Sequence, residues 1–248
     1  MTATSAANDS IDLSIIIPAY LEGKSLALLL PEIKMAAAVL TPRYEILVID
    51  TQEDMDNTGD CCRANGALHI HRDGGNSYGD AIRTAIAAAH GIYIICMDAD
   101  GSHSPSCFAS MWAQRKSSEI VIGSRYVRGG HTENPAILIW MSSAVNLVFR
   151  AVFSLPAKDV TNSFRLYHRS VLASLKLESN DFDILEEILI KATIRRPPAR
   201  IAEIPVTFGR RKAGESKRKL VQFAFGYLKT LQRLRRFAKA ARKETQGS

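Results

Sequence analysis

Five short apolar runs punctuate the first half of the chain, most of them ending on a polar or turn residue. Leu13-Ser-Ile-Ile-Ile-Pro18 stops at a proline, Glu45-Ile-Leu-Val-Ile-Asp50 ends on an acid, and Leu68-His-Ile-His71 is shorter. The run from Ile92 to Met97 leads straight into Asp98-Ala-Asp100-Gly-Ser-His103, and Glu119-Ile-Val-Ile-Gly123 completes the series. Apolar runs of this length, bounded by turn residues, predict buried strands. Between them, Ser25 to Leu40 has amphipathic helical spacing with Pro42 beyond it, and Asp80 to His90 is Ala-rich and helical. Strand alternating with helix implies an α/β fold, a mostly parallel sheet with helices on both faces. Ligands of such sheets bind beyond the carboxyl ends of the strands. Pro18-Ala-Tyr20-Leu-Glu22, Asp50 and Asp98 to Ser102 all fall at those ends.

The pattern changes after Gly123. Asn134 to Phe153 is apolar and helical, but Ser142, Ser143, Asn146 and Arg150 interrupt it. A span needs roughly 20 apolar residues, so this segment predicts a helix lying at an interface or in a hydrophobic groove. Asp181 to Ala192 is a further helical stretch. Arg200 to Phe208 alternates like a strand, and Pro205 confines it to a sheet edge. Gly209 to Lys219 is a basic loop. Leu220 to Arg242 then predicts an amphipathic basic helix with Leu220, Phe223, Tyr227, Leu231, Leu234 and Ala238 along one side. The organisation read from this pattern is a disordered start at 1–10, one domain over 11–219, and a basic helix and tail over 220–248.

At 248 residues the chain can bury one substantial core. Met1 to Asp12 is polar, without the apolar centre of a secretory signal. The four cysteines show neither paired metal spacing nor a disulfide framework, which predicts small reduced hydrophobes. Charge adds more. From Pro205 onward 13 Lys and Arg face only Glu215 and Glu244, so of the net +7 the tail carries +11 and the body −4. Such a tail implies a polyanionic partner: a nucleic acid, an anionic membrane surface or a phosphorylated substrate. Nucleic-acid binding would call for interleaved aromatics or a recognisable module, and the chain has neither.

Two carboxylates at the end of a buried strand are costly unless a cation sits between them. Gly101 permits the bend that lets Asp98 and Asp100 reach one ion. Mg²⁺ or Mn²⁺ suits such a site, since hard ions take carboxylates and fill their remaining positions with water and phosphate oxygens. The plain alternative is an Asp-rich turn.

Taken with the segments around it, this stretch resembles the GT-A glycosyltransferases of family 2, and among them the dolichyl- and polyprenyl-phosphate mannosyltransferases. Ile-Ile-Ile-Pro18-Ala-Tyr20-Leu-Glu22 is similar to the family's nucleotide-binding opening, and Asp98-Ala-Asp100-Gly-Ser102-His to its metal motif. Gly123 to Gly130, Asp159 to Tyr167 and Arg211-Lys-Ala-Gly-Glu-Ser-Lys217 follow in the family's order. The resemblance covers Leu13 to Lys217 and implies a Rossmann-like GT-A sheet with C-terminal amphipathic helices. Two departures touch the nucleotide pocket. Thr51-Gln-Glu-Asp-Met-Asp56 replaces the family's Asp-Gly-Ser pattern after Asp50, and Leu21 stands where an Asn is common.

The resemblance also implies roles. Pro18, Tyr20, Glu22, Val48, Asp50, Met97, Asp98, Ala99, Asp100, Ser102, Arg125, Arg211 and Lys217 are the expected nucleotide-sugar contacts. Asp98, Asp100 and Ser102 are the expected holders of Mg²⁺ or Mn²⁺. Asp100, Arg125, Arg211 and Lys217 are the expected catalytic residues, with Ser163 and Arg165 at the acceptor phosphate. His103 reads as a turn residue, because Mg²⁺ prefers oxygen. The implied reaction is inverting transfer of a sugar, mannose from GDP-mannose first among donors, to a polyprenyl or dolichyl phosphate. It would take place peripherally on the cytoplasmic face of a membrane, with the basic helix, the apolar segment or an anchoring partner protein holding the chain there. A family relative using UDP-glucose or UDP-N-acetylhexosamine, or a non-lipid acceptor, is the second reading. A silent scaffold tethered to a membrane or nucleic acid is the third, and intact Asp98, Asp100, Arg211 and Lys217 argue against it.

Overall fold

The apolar runs become the centre of a seven-stranded sheet. In a computed structural model that describes residues 10–195, 197–209 and 229–241, the first half alternates strictly between strand and helix. It runs β1 (Leu13–Pro18), α1 (Gly23–Leu40), β2 (Tyr44–Asp50), α2 (Thr58–Asn65), β3 (Leu68–His71), α3 (Tyr78–Ala88) and β4 (Tyr93–Cys96). A short 3-10 turn at Pro105–Cys107 leads into α4 (Phe108–Gln114) and β5 (Ile120–Ser124). Then come β6 (His131–Thr132), α5 (Ala136–Phe153), β7 (Arg165–His168), α6 (Arg169–Ala173) and α7 (Ile184–Ile194). The chain continues through β8 (Ile201–Pro205) and β9 (Thr207–Phe208), and residues 229–241 form a last helix, α8. The expected disorder at 1–9 and the first half of the expected basic helix lie outside the described residues.

The strand order is β3-β2-β1-β4-β7-β5-β8. β1 pairs in parallel with β2 and β4, and β2 with β3. β7 departs from the expected pattern, running antiparallel between β4 and β5. Its four residues, Arg-Leu-Tyr-His, are too short and too polar to stand out as an apolar run. β8 lies at the edge, where Pro205 requires it. Side chains alternate across the sheet as strand geometry demands. Leu13, Ile15 and Ile17 of β1 enter the core on the side of α1 and α4, while Ile16 enters the core that holds α3, α7 and the end of α5.

α8 corrects one expectation. Leu234 and Ala238, placed above on the apolar side of a basic helix expected to help hold the chain at a membrane, are buried in that second core, and Leu231 packs against it. Arg233 bonds Ser179 and lies 3.6 Å from Asp183, and Lys191 sits over Phe237 at 4.9 Å. Lys229, Arg235, Arg236 and Lys239 face outward. The described part of the tail is a packed helix whose charges other than Arg233 are solvated, because its apolar side covers α7.

Candidate active site

The carboxyl ends of β1, β2 and β4 reach one edge of the sheet, which brings the residues that follow them to the same side. After β1 the chain turns at Leu21, whose φ of 56° is left-handed, and Glu22 then opens α1. Tyr20 projects outward, 41% exposed. Glu22 accepts a hydrogen bond from Ser25 Oγ at 2.9 Å. A Cβ at Gly23 would stand 2.2 Å from Asn57 Oδ1, so any larger residue there would push the Asn57 side chain aside.

At the end of β2, Asp50 is buried; its Oδ1 accepts the Thr51 N–H at 2.8 Å and its Oδ2 lies 3.1 Å from His69 Nε2. Arg72, just past β3, is a buried cation that pattern reading missed. Its guanidinium donates to the carbonyls of Ala19, Asn76 (2.6 Å) and Ser77 (3.2 Å), joining the end of β1 to the start of α3. Burial lowers its pKa, and nearby Asp50 and Asp80 oppose that shift. The only signal for it was a charge between an apolar strand and Gly74-Gly75.

The Asp98–His103 turn bends at Gly101, with φ of 77°. Asp100 Oδ1 accepts both the N–H (3.0 Å) and the hydroxyl (2.6 Å) of Ser102. Among the described residues no donor reaches the Asp98 carboxylate, which is partly exposed. His103 is buried. Its Nδ1 accepts the Asp98 N–H at 3.1 Å, so Nε2 carries the proton and donates to Asn162 Oδ1 at 3.0 Å. Stacked on Phe164, this ring braces the turn and has no nitrogen left for a ligand. The oxygens of Asp98, Asp100 and Ser102 form the donor set that a hard divalent ion takes.

The far wall comes from β5 and the segment before β7. Arg125 donates from Nε and Nη2 to Asp159, both at 2.8 Å, and to Thr161 Oγ1 at 2.7 Å. Burial alone would raise the Asp159 carboxyl, but the Arg125 hydrogen bonds and charge outweigh it and hold its pKa below the usual range. Arg125 is therefore a clasp between β5 and this segment, its charge already compensated, and not a bare cation awaiting phosphate. Asn162 donates to the Gly123 carbonyl, which puts Ser163 beside the Asp98 turn.

Arg165 does not reach this wall. It is 0% exposed, and its guanidinium donates to the carbonyls of Leu185 (2.8 Å) and Val160 (2.7 Å), so its assignment to the acceptor phosphate is corrected to a core cation. Val48 likewise buries its side chain in the core beneath α1. Met97 and Ala99 bury their side chains there too. Arg211 and Lys217 lie outside the described residues. The described chain before them ends at Gly209, whose N–H donates to Ser102 O at 2.9 Å.

α5 flanks the same wall, through Tyr126 bonded to Ser142 and Asn146 accepting the Val160 N–H at 2.8 Å. It is long and apolar enough to cross a membrane by length and composition, yet Asn146, Phe149 and Phe153 are buried in the body. Its other side shows Ile137, Trp140 (76% exposed), Leu147 and Val148 to solvent.

The sequence profile of Glycosyl transferase family 2 matches residues 14–175. A dolichol-phosphate mannosyltransferase of Pyrococcus furiosus is 33% identical over 89% of the chain, which spans 63% of that protein's length. An undecaprenyl-phosphate mannosyltransferase of Micrococcus luteus is 33% identical over 82% of the chain and 85% of its own. Among solved structures, the glucosyl-3-phosphoglycerate synthase of Mycobacterium tuberculosis, in complex with Mn²⁺, UDP and glucosyl-3-phosphoglycerate, superposes with a TM-score of 0.68. That match covers 90% of this chain and 80% of the other at 18% identity, and it shows a shared GT-A fold.

Proposed function

Because the chain belongs to glycosyl transferase family 2, we propose that it transfers mannose from GDP-mannose to a polyprenyl phosphate at a membrane surface, with inversion at the anomeric carbon. The observation that carries this reading is the convergence of three strand ends, bearing Tyr20 and Glu22, Asp50, and the Asp98–Ser102 turn, in a chain one-third identical to polyprenyl-phosphate mannosyltransferases.

Asp98, Asp100 and Ser102 would hold a divalent ion, Mg²⁺ or Mn²⁺, which when bound neutralises the leaving diphosphate. Tyr20 packs against the base or ribose, and Glu22 and Asp50 accept from hydroxyl or N–H groups of the donor. A phosphate acceptor is already largely ionised near neutral pH, so little general-base help is needed. The task is to bring two anions together. Arg211 and Lys217, which follow Gly209 in a segment carrying no other acid than Glu215, supply the positive charge for the attacking phosphate, and Ser163 donates to it. The exposed apolar side of α5, led by Trp140, rests in the lipid interface beside the wall where the acceptor enters.

The deciding experiment incubates a panel of nucleotide sugars with a short polyprenyl phosphate in liposomes and Mn²⁺, scoring lipid-linked sugar. GDP-mannose should give product above every other donor. Product from a UDP-sugar alone would move the donor assignment, and product only on soluble acceptors would remove the lipid.

A further inference from the structure

β3 is an edge strand, and His69 and His71 stand two residues apart on it, so both rings leave the same face. The segment after Asp50, the one that departs from the family's pattern, brings Asp54 over those rings. Asp54 Oδ1 lies 3.9 Å from His69 Nε2 and 3.8 Å from His71 Nε2, and all three ligand atoms fall within 4.8 Å of one another. Asp50 Oδ2 adds an oxygen 3.1 Å from His69 Nε2.

We propose that Asp54, His69 and His71, with Asp50 beside them, form a second cation site, separate from the Asp98 turn and suited to a transition-metal ion of the Zn²⁺ class. Two imidazoles and carboxylate oxygens are a borderline donor set, which selects Zn²⁺ over the hard ions that an all-oxygen turn prefers. Ligand bonds of about 2.0–2.2 Å put tetrahedral donor atoms about 3.4 Å apart. The Asp50–His69 separation of 3.1 Å falls just below that value, and the two Asp54 separations, 3.9 and 3.8 Å, lie above it. Side-chain rotation can close the rest, because His71 and Asp54 are 46% and 69% exposed.

One imidazole is already set for coordination. His71 Nδ1 lies 2.7 Å from the Thr51 carbonyl, which can only accept, so the proton is on Nδ1 and the Nε2 lone pair is free toward Asp54. A ligating histidine is commonly oriented by such a bond from its other nitrogen. His69 is 14% exposed, and there the ion takes the Nε2 position shared with Asp50 while the ring proton moves to Nδ1. Occupancy would pin residues 51–56 to β3, and Asp56 of that segment already bonds the Gly23 N–H at the start of α1.

The test uses the untagged full chain carrying Asp98→Asn and Asp100→Asn, which removes the all-oxygen site. Calorimetry should find one saturable Zn²⁺ per chain, Co²⁺ should give the visible absorption of tetrahedral coordination, and Zn²⁺ should raise Tm. His71→Ala and Asp54→Ala should each weaken Zn²⁺ binding at least tenfold; Asp54→Ala should leave the ion-free Tm in place, whereas His71→Ala, which gives up its bond to the Thr51 carbonyl, should lower it slightly. Asp54→Asn, which keeps the shape of the loop, should weaken Zn²⁺ binding as well. Unchanged Zn²⁺ affinity in these variants, or no saturable binding up to millimolar Zn²⁺ in the parent, would overturn the site.

Discussion

Leu21 adopts a left-handed backbone that branched side chains dislike and Asn tolerates, and it is 40% exposed, so little burial compensates. Leu21→Asn should stabilise the protein by about 1 kcal/mol, or about 2–4 °C in Tm for a chain of this size. An unchanged or lower Tm would show that Leu21 packs better than its exposure indicates. At Asp98, replacement by Asn should leave the stability within about 0.5 kcal/mol of the parent, since no donor among the described residues is lost. Turnover should fall by about 10² or more if the residue holds the ion; transfer surviving in excess chelator would remove the metal role. Asp159 belongs to stability. Its folded pKa is depressed, as is that of Glu187, where Lys191 and the 178–179 backbone donors outweigh burial. Both contributions are therefore full at neutral pH and are lost as pH falls through the depressed folded values, below the ordinary carboxylate range. Asp159→Asn should cost about 3 kcal/mol at pH 7, because it removes the buried carboxylate that Arg125 pairs with, and should flatten this acid limb in a Tm-against-pH series. At this scale the sequence carried the acids at strand ends, where chemistry and position coincide. It did not carry the fates of Arg125 and Arg165, since an arginine facing a phosphate and one facing buried carbonyls are written with the same letter.

Elements were legible wherever burial imposed a run. β1, β2, β3, β5 and α1 lie where apolar spacing put them, and Pro205 assigned β8 to an edge. α2, α6 and β7 left no such mark, because each is short and takes its stability from contacts distant in sequence. α5 is the element with a consequence for membranes. Trp140→Glu with Leu147→Glu should leave Tm nearly unchanged, both side chains being largely exposed, while binding to anionic liposomes falls at least tenfold. Equal sedimentation of variant and parent would exclude this face as the contact. α8 makes the opposite prediction. Leu234→Ala should destabilise the fold by about 2–4 kcal/mol in chemical denaturation, as expected for a buried leucine, and an exposed membrane helix would not respond in that way.

Over the whole molecule, β7 joins two pieces of sheet that do not otherwise pair. β3, β2, β1 and β4 are contiguous on one side, β5 and β8 on the other, and the seam between them is Arg165–His168. The chain order makes this a matter of timing. By the time residue 96 has left the ribosome, four strands of one half can assemble, but β5 has no neighbour until residues 165–168 arrive some forty positions later. An apolar strand waiting with open edges is exposed to pairing with other chains. The interval in which this protein is most prone to aggregate during synthesis is therefore the emergence of residues 120–168, and nascent chains arrested inside that window should depend on chaperones more than those arrested just before it.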